Sequence, residues 1–340
     1  MKKIIIAIAL LALIIPISSM AAFQPATLTD GVHRVAVFSQ EQADTYFQKG
    51  YFLEKQDSPL ISTQWLNEHL NDKNLVILDV RSAETKIKFA DEHIPGAIPV
   101  SSVYFQTDYP SQTDIPYNIP PKQTFESIVQ KLGINKDSKI VIVYPGLTPK
   151  DVMCGTRTFW TFSYYGMENI SILDGGFGKW KRDGYKITNE TKTPVIGNFV
   201  VEKINDALLA SLDQTKDAAL SKNSALLDSR MVSDYVGKTK QDFIPEFGHI
   251  SGSVNYFAPL YLNADLTFKS SKQIIFEMGL LGIKDGMNIV TYCNSGQFAT
   301  TAWFALSEIA GFKGVSSYDG SVSEWVNQGH LPLTKDSSVN

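Results

Sequence analysis

The chain has 340 residues, 44% of them hydrophobic and 19% charged, with a formal net charge of −4. That length suits two domains of ordinary size, each able to bury its own core, and the composition excludes a disordered or coiled-coil chain. A mildly acidic chain without a basic block argues against nucleic acid as a partner.

Met1 to Ala22 has the three parts of a secretory signal peptide: Lys2 and Lys3, the apolar run Ile4 to Ile17, and the small residues Ser19-Met20-Ala21-Ala22. The apolar run falls short of the ~20 residues that span a bilayer, and no later segment is apolar enough to do so. The expectation is an exported protein, periplasmic or secreted, with no stable membrane association after cleavage. Residues 23–60 read as an N-terminal extension.

From Ile61 the pattern becomes regular. Ser62 is a candidate N-cap for a helix over Thr63 to Leu70. A strand over Leu75 to Val80 ends in Asp79-Val80-Arg81, and Glu84 to Phe89 reads as helical. The turn His93-Ile94-Pro95-Gly96-Ala97 leads to a short strand. Thr124 to Leu132 predicts a helix, Lys139 to Tyr144 a buried strand, and Thr156 to Gly166 a helix. The strand Ile170 to Leu173, the turn Asp174-Gly175-Gly176 and a helix from Phe177 complete the first half. Tyr104, Phe105, Tyr109 and Tyr117 fall in a Pro-rich loop and read as surface packing. Strands alternating with helices imply parallel sheets with helices on their faces.

The second half repeats this order. Leu226-Leu227-Asp228-Ser229-Arg230 matches Leu78-Asp79-Val80-Arg81, and Gly248-His249-Ile250-Ser251-Gly252 matches Glu92-His93-Ile94-Pro95-Gly96. Ile289 to Tyr292 matches Val141 to Tyr144, and Tyr318-Asp319-Gly320 through Trp325 matches Leu173-Asp174-Gly175 through Trp180. Two domains are expected, 61–191 and 198–335, joined by a linker around Lys192 to Gly197. At equivalent places His93 and His249 read as turn hydrogen-bonders, Arg81 and Arg230 as internal ion pairs, and Trp180 and Trp325 as core.

The repeat breaks in one place. After the central strand the second half has Cys293, and this alignment puts Pro145 opposite it. Cys293 opens a small polar loop, Asn294-Ser295-Gly296-Gln297, before a helix from Phe298 to Ala310 that Gly311 closes. Successive backbone N–H groups of such a loop can turn inward and, with the helix dipole, stabilise a thiolate. Cys293 is therefore the candidate nucleophile. Cys154 reads as a core thiol, with a Cys154–Cys293 disulfide as the rival arrangement.

These residues resemble the rhodanese family, in particular its two-domain thiosulfate and 3-mercaptopyruvate sulfurtransferases. Phe89-x-x-x-His93-Ile94-Pro95-Gly96-Ala97-x-x-Val100 fits the family's N-terminal signature, and the Asp-x-Arg strand ends, Asp-Gly turns and Cys-x-x-Gly loop recur in order over Ile61 to Leu333. The resemblance implies an α/β fold of two tandem rhodanese-like domains, each a parallel sheet flanked by helices, the first non-catalytic and the second catalytic. It implies that Cys293 takes a sulfane sulfur from a small donor such as thiosulfate, as a persulfide, and passes it to cyanide or a thiol. Asn294, Ser295, Gly296, Gln297, Phe298 and Ala299 would bind the transferred sulfur, with Arg230 and Lys238 supplying charge. No metal or organic cofactor is implied, and a monomer is expected. Ala299 stands where phosphatases of this fold carry their phosphate-binding arginine.

The departures leave the substrate open. Asn294 and Ser295 stand where thiosulfate enzymes carry cations, Asp234 replaces a donor-binding arginine, Gln297 and Phe298 differ from the mercaptopyruvate loop, and Val322 replaces an aromatic residue. Asp234 either points away, is compensated by Lys238, Lys240 or Arg157, or implies a donor that is not a simple dianion. A 3-mercaptopyruvate sulfurtransferase, a non-catalytic sulfur carrier or binding protein, and a redox protein built on the two thiols are the alternatives.

Overall fold

The computed structural model describes residues 58–81, 85–105 and 118–335. The segment expected to be a signal peptide, most of the expected N-terminal extension, and Tyr109 and Tyr117 lie outside the described residues. Two all-parallel sheets form the scaffold. The first contains β1 (Leu60–Ile61), β2 (Leu75–Asp79), β3 (Ile98–Pro99), β4 (Lys139–Val143) and β5 (Ile170–Leu173), in the order β1-β5-β4-β2-β3. The second contains β6 (Ser224–Asp228), β7 (Val254–Asn255), β8 (Asn288–Tyr292) and β9 (Val315–Ser317), in the order β7-β6-β8-β9. Leu60, placed by its sequence in the extension, belongs to the first sheet through its pairing with Ile172.

Serines set several helix starts. Ser62 accepts the Trp65 N–H at 3.0 Å ahead of α1 (Thr63–His69). After α2 (Lys122–Lys131), α3 (Val152–Tyr164) and α4 (Gly176–Arg182), Ser211 and Gln214 form a capping box on α5 (Leu212–Leu220). Then come α6 (Val232–Tyr235), α7 (Ser271–Leu280), α8 (Gln297–Trp303) and α9 (Ser321–Asn327). Helix α8 runs on as a π-helical segment, Phe304–Ile309, before Gly311 at φ +76°.

Three sequence expectations are corrected. Residues 85–91 form bends and turns, not a helix, and Phe89 instead stacks its ring on His93 at 3.8 Å. Helix α3 starts four residues earlier than expected, because Thr148 and Asp151 form a capping box on the turn that feeds it. Phe105 is fully buried, edge-on to Phe162 at 5.0 Å, and not surface packing.

The central strands are largely apolar past their first residues, Lys139 and Asn288, because both faces are covered. Pleating divides them. Ile140 and Ile142 join the large core shared with the second domain, whereas Val141 and Val143 join a separate outer core with Phe177 and Trp180. Ile289 enters the same shared core from the other sheet, and Val290 and Tyr292 enter the second outer core. The domains therefore meet through one continuous apolar layer.

The meeting is nearly symmetric. Helices α3 and α8 cross it, with Thr156 Oγ1 2.8 Å from Thr301 Oγ1 and the equivalent rings Phe159 and Phe304 edge-on at 4.9 Å. Each Asp-Gly turn accepts a backbone N–H from the opposite domain: Phe268 donates to Asp174 at 2.9 Å, and Ile119 to Asp319 at 2.7 Å.

Sheet register corrects the comparison of the two halves by one residue. Asp79 pairs with Val143, and Asp228 pairs with Tyr292. Likewise the Val80 N–H donates to Val143 O as Ser229 donates to Tyr292 O. The residue opposite Cys293 is thus Tyr144, not Pro145. The sequence alignment missed this because VIVY and IVTY both end in tyrosine, while the strands carry those tyrosines at different positions.

Candidate active site

Parallel strands place their C-terminal ends on one edge, where loops can build a site. Cys293 follows β8 there and is 2% exposed. Gly296, at φ +76°, bends the loop into α8. Its conformation favours glycine, and the space demands it. A Cβ would lie 2.4 Å from an Asp319 carboxylate oxygen and 2.6 Å from the Asp319 main-chain oxygen.

The loop closes around a hydroxyl that sequence reasoning passed over. Ser321 Oγ accepts the N–H groups of Cys293 and Gly296, each at 3.0 Å, and donates to Tyr318 O at 2.8 Å. Val322 and Ser323 return N–H bonds to the carbonyls of Cys293 and Asn294, both at 3.1 Å. Ser321 sits at φ +50°, an uncommon conformation for a residue with a side chain. The repeat held a signal for it: the equivalent residue is Gly176, at φ +61°. One N–H expected to face the transferred atom, that of Gly296, is therefore committed to Ser321. Those of Gln297, Phe298 and Ala299 lie in the first turn of α8, where no intrahelical carbonyl receives them.

The charged residues fall on two sides. Arg230 is 2% exposed and grips Asp228, with Nη2 at 2.6 Å from Oδ2. It also donates to Gly248 O at 2.8 Å and reaches Asn294 Oδ1 at 3.4 Å. Asp234 is 5% exposed and does not point away: the Asn294 amide donates to it at 3.3 Å and Thr239 Oγ1 at 2.5 Å. On the other side Arg157, fully buried in α3 of the first domain, forms a two-pronged ion pair with Asp319. Two arginines against three aspartates leave the surroundings of the loop formally negative. Lys238 is exposed. Lys240 is turned to Ile244 O at 2.7 Å and to the Phe247 ring at 5.4 Å.

Of the expected site residues, the structure brings Asn294 to Ala299 and Arg230 together around Cys293 and leaves Lys238 at the surface. Phe298 packs edge-on against Phe257 at 5.6 Å, an apolar contact at the start of α8. Both cysteines are free, which overturns the disulfide arrangement. Burial pushes the Cys154 thiol up, against a hydrogen bond from Ser102 that lowers it. His93 and His249 make the expected turn contacts, with Nδ1 at 2.7 Å from Phe89 O and at 2.8 Å from Tyr235 O.

The equivalent place in the first domain is filled. Tyr144 is 1% exposed, and its hydroxyl accepts the Gly175 N–H and donates to Leu266 O in the second domain, both at 3.1 Å. Burial holds its phenol far above the ordinary range. Among the described residues, no group of three or more His, Cys, Asp or Glu side chains could hold a metal ion.

Fold and site together define a duplicated parallel α/β protein with one cysteine cradle at a strand end. The family model described as "Rhodanese-like domain" matches twice, over residues 62–183 and 210–328. The chain belongs to the rhodanese-like family. It is 28% identical over 287 residues to the "Sulfur carrier protein TtuD" of Thermus thermophilus, covering 81% of this chain and 96% of that one. It is equally 28% identical over 288 residues to a Haloferax volcanii protein named "Putative thiosulfate sulfurtransferase", with the same coverage. Among solved structures, the anaerobic ergothioneine biosynthesis enzyme from Chlorobium limicola shares the fold with a TM-score of 0.71 at 19% identity, covering 87% of this chain and 79% of that one. An EanB variant solved with a cysteine persulfide and ergothioneine shares it with a TM-score of 0.73 at 18% identity, covering 87% and 80%.

Proposed function

We propose that this protein is a sulfurtransferase carrying sulfane sulfur on Cys293. The observation that supports it most is the site itself: a single cysteine at the end of β8, in a loop whose N–H groups are arranged by Ser321 and by the start of α8. Relatives named for sulfur carriage and thiosulfate sulfur transfer point the same way.

The Cys293 thiolate attacks the outer sulfur of a donor. The donor's bond to that sulfur breaks, and its electron pair leaves with the donor remnant, sulfite in the case of thiosulfate. The persulfide's terminal sulfur, left negative, faces the N–H groups of the first turn of α8, in the manner of an oxyanion hole. A thiol or cyanide then attacks that sulfur and regenerates the thiolate, dividing the transfer into two displacements. Thiosulfate is the proposed donor, with 3-mercaptopyruvate as its rival. The leader supports export, and the acting unit is proposed to be the single chain.

A carrier without turnover is the second reading, favoured by Asp234 beside Asn294 in a loop with no cation. The test is to treat the protein with thiosulfate, then cyanide, and to measure thiocyanate alongside mass spectrometry of Cys293. Turnover abolished by Cys293→Ser supports the enzyme, and persulfide without turnover supports the carrier. No persulfide from thiosulfate, 3-mercaptopyruvate or an alkyl persulfide refutes both.

A further inference from the structure

Matched contacts line the mutual boundary of the two halves, so the places where they differ there are informative. Asp174 and Asp319 are equivalent turn aspartates, and each takes a backbone N–H from the opposite domain. Among the described residues, only Asp319 also receives a guanidinium, that of Arg157. With Thr156 facing Thr301 and Phe159 facing Phe304, the residue equivalent to Arg157 is Ala302. Arginine was therefore placed, or kept, on one side of the near-symmetric boundary. It is the side that faces the cysteine loop.

Arg157 touches that loop through a short chain of contacts. Its guanidinium lies 5.0 Å from the Trp160 ring centroid and pairs with Asp319 through both nitrogens. Asp319 begins the turn whose third residue, Ser321, receives the Cys293 and Gly296 N–H groups. Gly296 sits so close that a Cβ on it would be 3.1 Å from Arg157 Nη1. A planar fork on a carboxylate fixes position as well as charge, which a lysine at the same place cannot do as well.

We propose that Arg157, supplied by the first domain, is a positioning residue for the Cys293 loop: through Asp319 it holds Ser321 where it orders the N–H groups around the sulfur. The first domain is then a working part of the site although its own cradle is filled by Tyr144. This rests on the reading of Cys293 as the sulfur-carrying nucleophile.

The experiment compares Arg157→Met and Arg157→Lys with Arg81→Met in the full chain. Arg81 forms the same kind of buried pair, with Asp79 at 2.6 Å, in the first domain. Turnover with thiosulfate and cyanide is read as kcat and donor KM, with a thermal melt for each variant. A misplaced catalytic loop costs about 10²-fold, so Arg157→Met should lower kcat by that order while donor KM stays within about twofold. Arg157→Lys should restore part of the loss, and Arg81→Met should lower the melting temperature with kcat unchanged. Wild-type kcat in Arg157→Met, or an equal loss in Arg81→Met, overturns the proposal. The rate of Cys293 alkylation by iodoacetamide is measured in parallel, because it reports the loop even if no donor loads sulfur. A wild-type chain that loads none refutes the sulfur-transfer reading, while an unchanged alkylation rate in Arg157→Met refutes the positioning role. Should Arg157→Met fail to fold, Asp319→Asn, which keeps the shape and loses the charge, carries the same comparison.

Discussion

A methyl group on Gly296 tests the site's construction most directly. Gly296→Ala places a side chain at φ +76°, which costs an ordinary residue about 1–2 kcal/mol in the left-handed region. The added carbon also meets Asp319 twice, at 2.4 Å from the carboxylate and 2.6 Å from the main-chain oxygen. A carboxylate can rotate, but a main-chain oxygen cannot, so the turn carrying Ser321 must shift. If the shift parts Asp319 from Arg157, a broken buried ion pair adds about 3–5 kcal/mol. Gly282→Ala separates the two costs. Gly282 is exposed at φ +78° with nothing within 4 Å of an added carbon, so it carries the backbone cost alone. Melts and sulfur-loading rates of both variants are the assay, at a few degrees per kcal/mol for a chain of this size. Gly282→Ala should melt slightly lower and load sulfur normally. Gly296→Ala should melt lower still and lose about 10²-fold in rate. Equal melting temperatures with equal rates would refute the claim that Asp319 and the loop are packed as one unit.

Asp174, which lacks the guanidinium that Asp319 has, is raised from 3.8 to about 6, chiefly by burial, with the Phe268 N–H and Lys179 opposing and Asp265 adding. Its folded state holds the proton more tightly than its unfolded state. Its contribution to stability is therefore fully present below pH 3.8, is lost as pH rises to about 6, and stays constant above. Asp174→Asn should flatten that slope and gain on the order of 3 kcal/mol at pH 7, read from paired melts between pH 4 and 7; parallel slopes would count against it. Tyr144→Phe strands the Gly175 N–H and Leu266 O, so denaturant titration should show a loss of about 1–3 kcal/mol without any new reactive site in the first domain. Asp234→Arg reverses the charge beside Asn294 and should raise kcat/KM for thiosulfate at least tenfold, roughly 1.4 kcal/mol or more; no gain would mean that Asp234 does not face the donor.

The two sheets, most helices and Cys293 were legible because they depend on local rules. A run such as Lys139 to Val143 reads as a buried strand from its own side chains, and Ser62 reads as a cap from its place ahead of Trp65 and Leu66. The stretch Glu84 to Phe89 misled because its composition suits a helix. The chain there instead turns to bring the Phe89 ring onto His93 and the Ile87 and Glu92 carbonyls to Arg81. Ser321 was visible only as a departure from Gly176, and its role needed the loop to be seen folded over it.

By itself the sequence determined that this is a duplicated α/β chain with one cysteine cradle, since strand periodicity, turn residues and repeat order are carried by neighbours along the chain. Only the tertiary structure decided what surrounds the cradle. Tyr144 in the first copy's nucleophile place follows from strand register, which hydrogen bonds between distant segments set. Asp234 against Asn294, and Arg157 against Asp319, join residues far apart in the chain. Such contacts follow from how two packed domains meet, and no local pattern encodes that meeting.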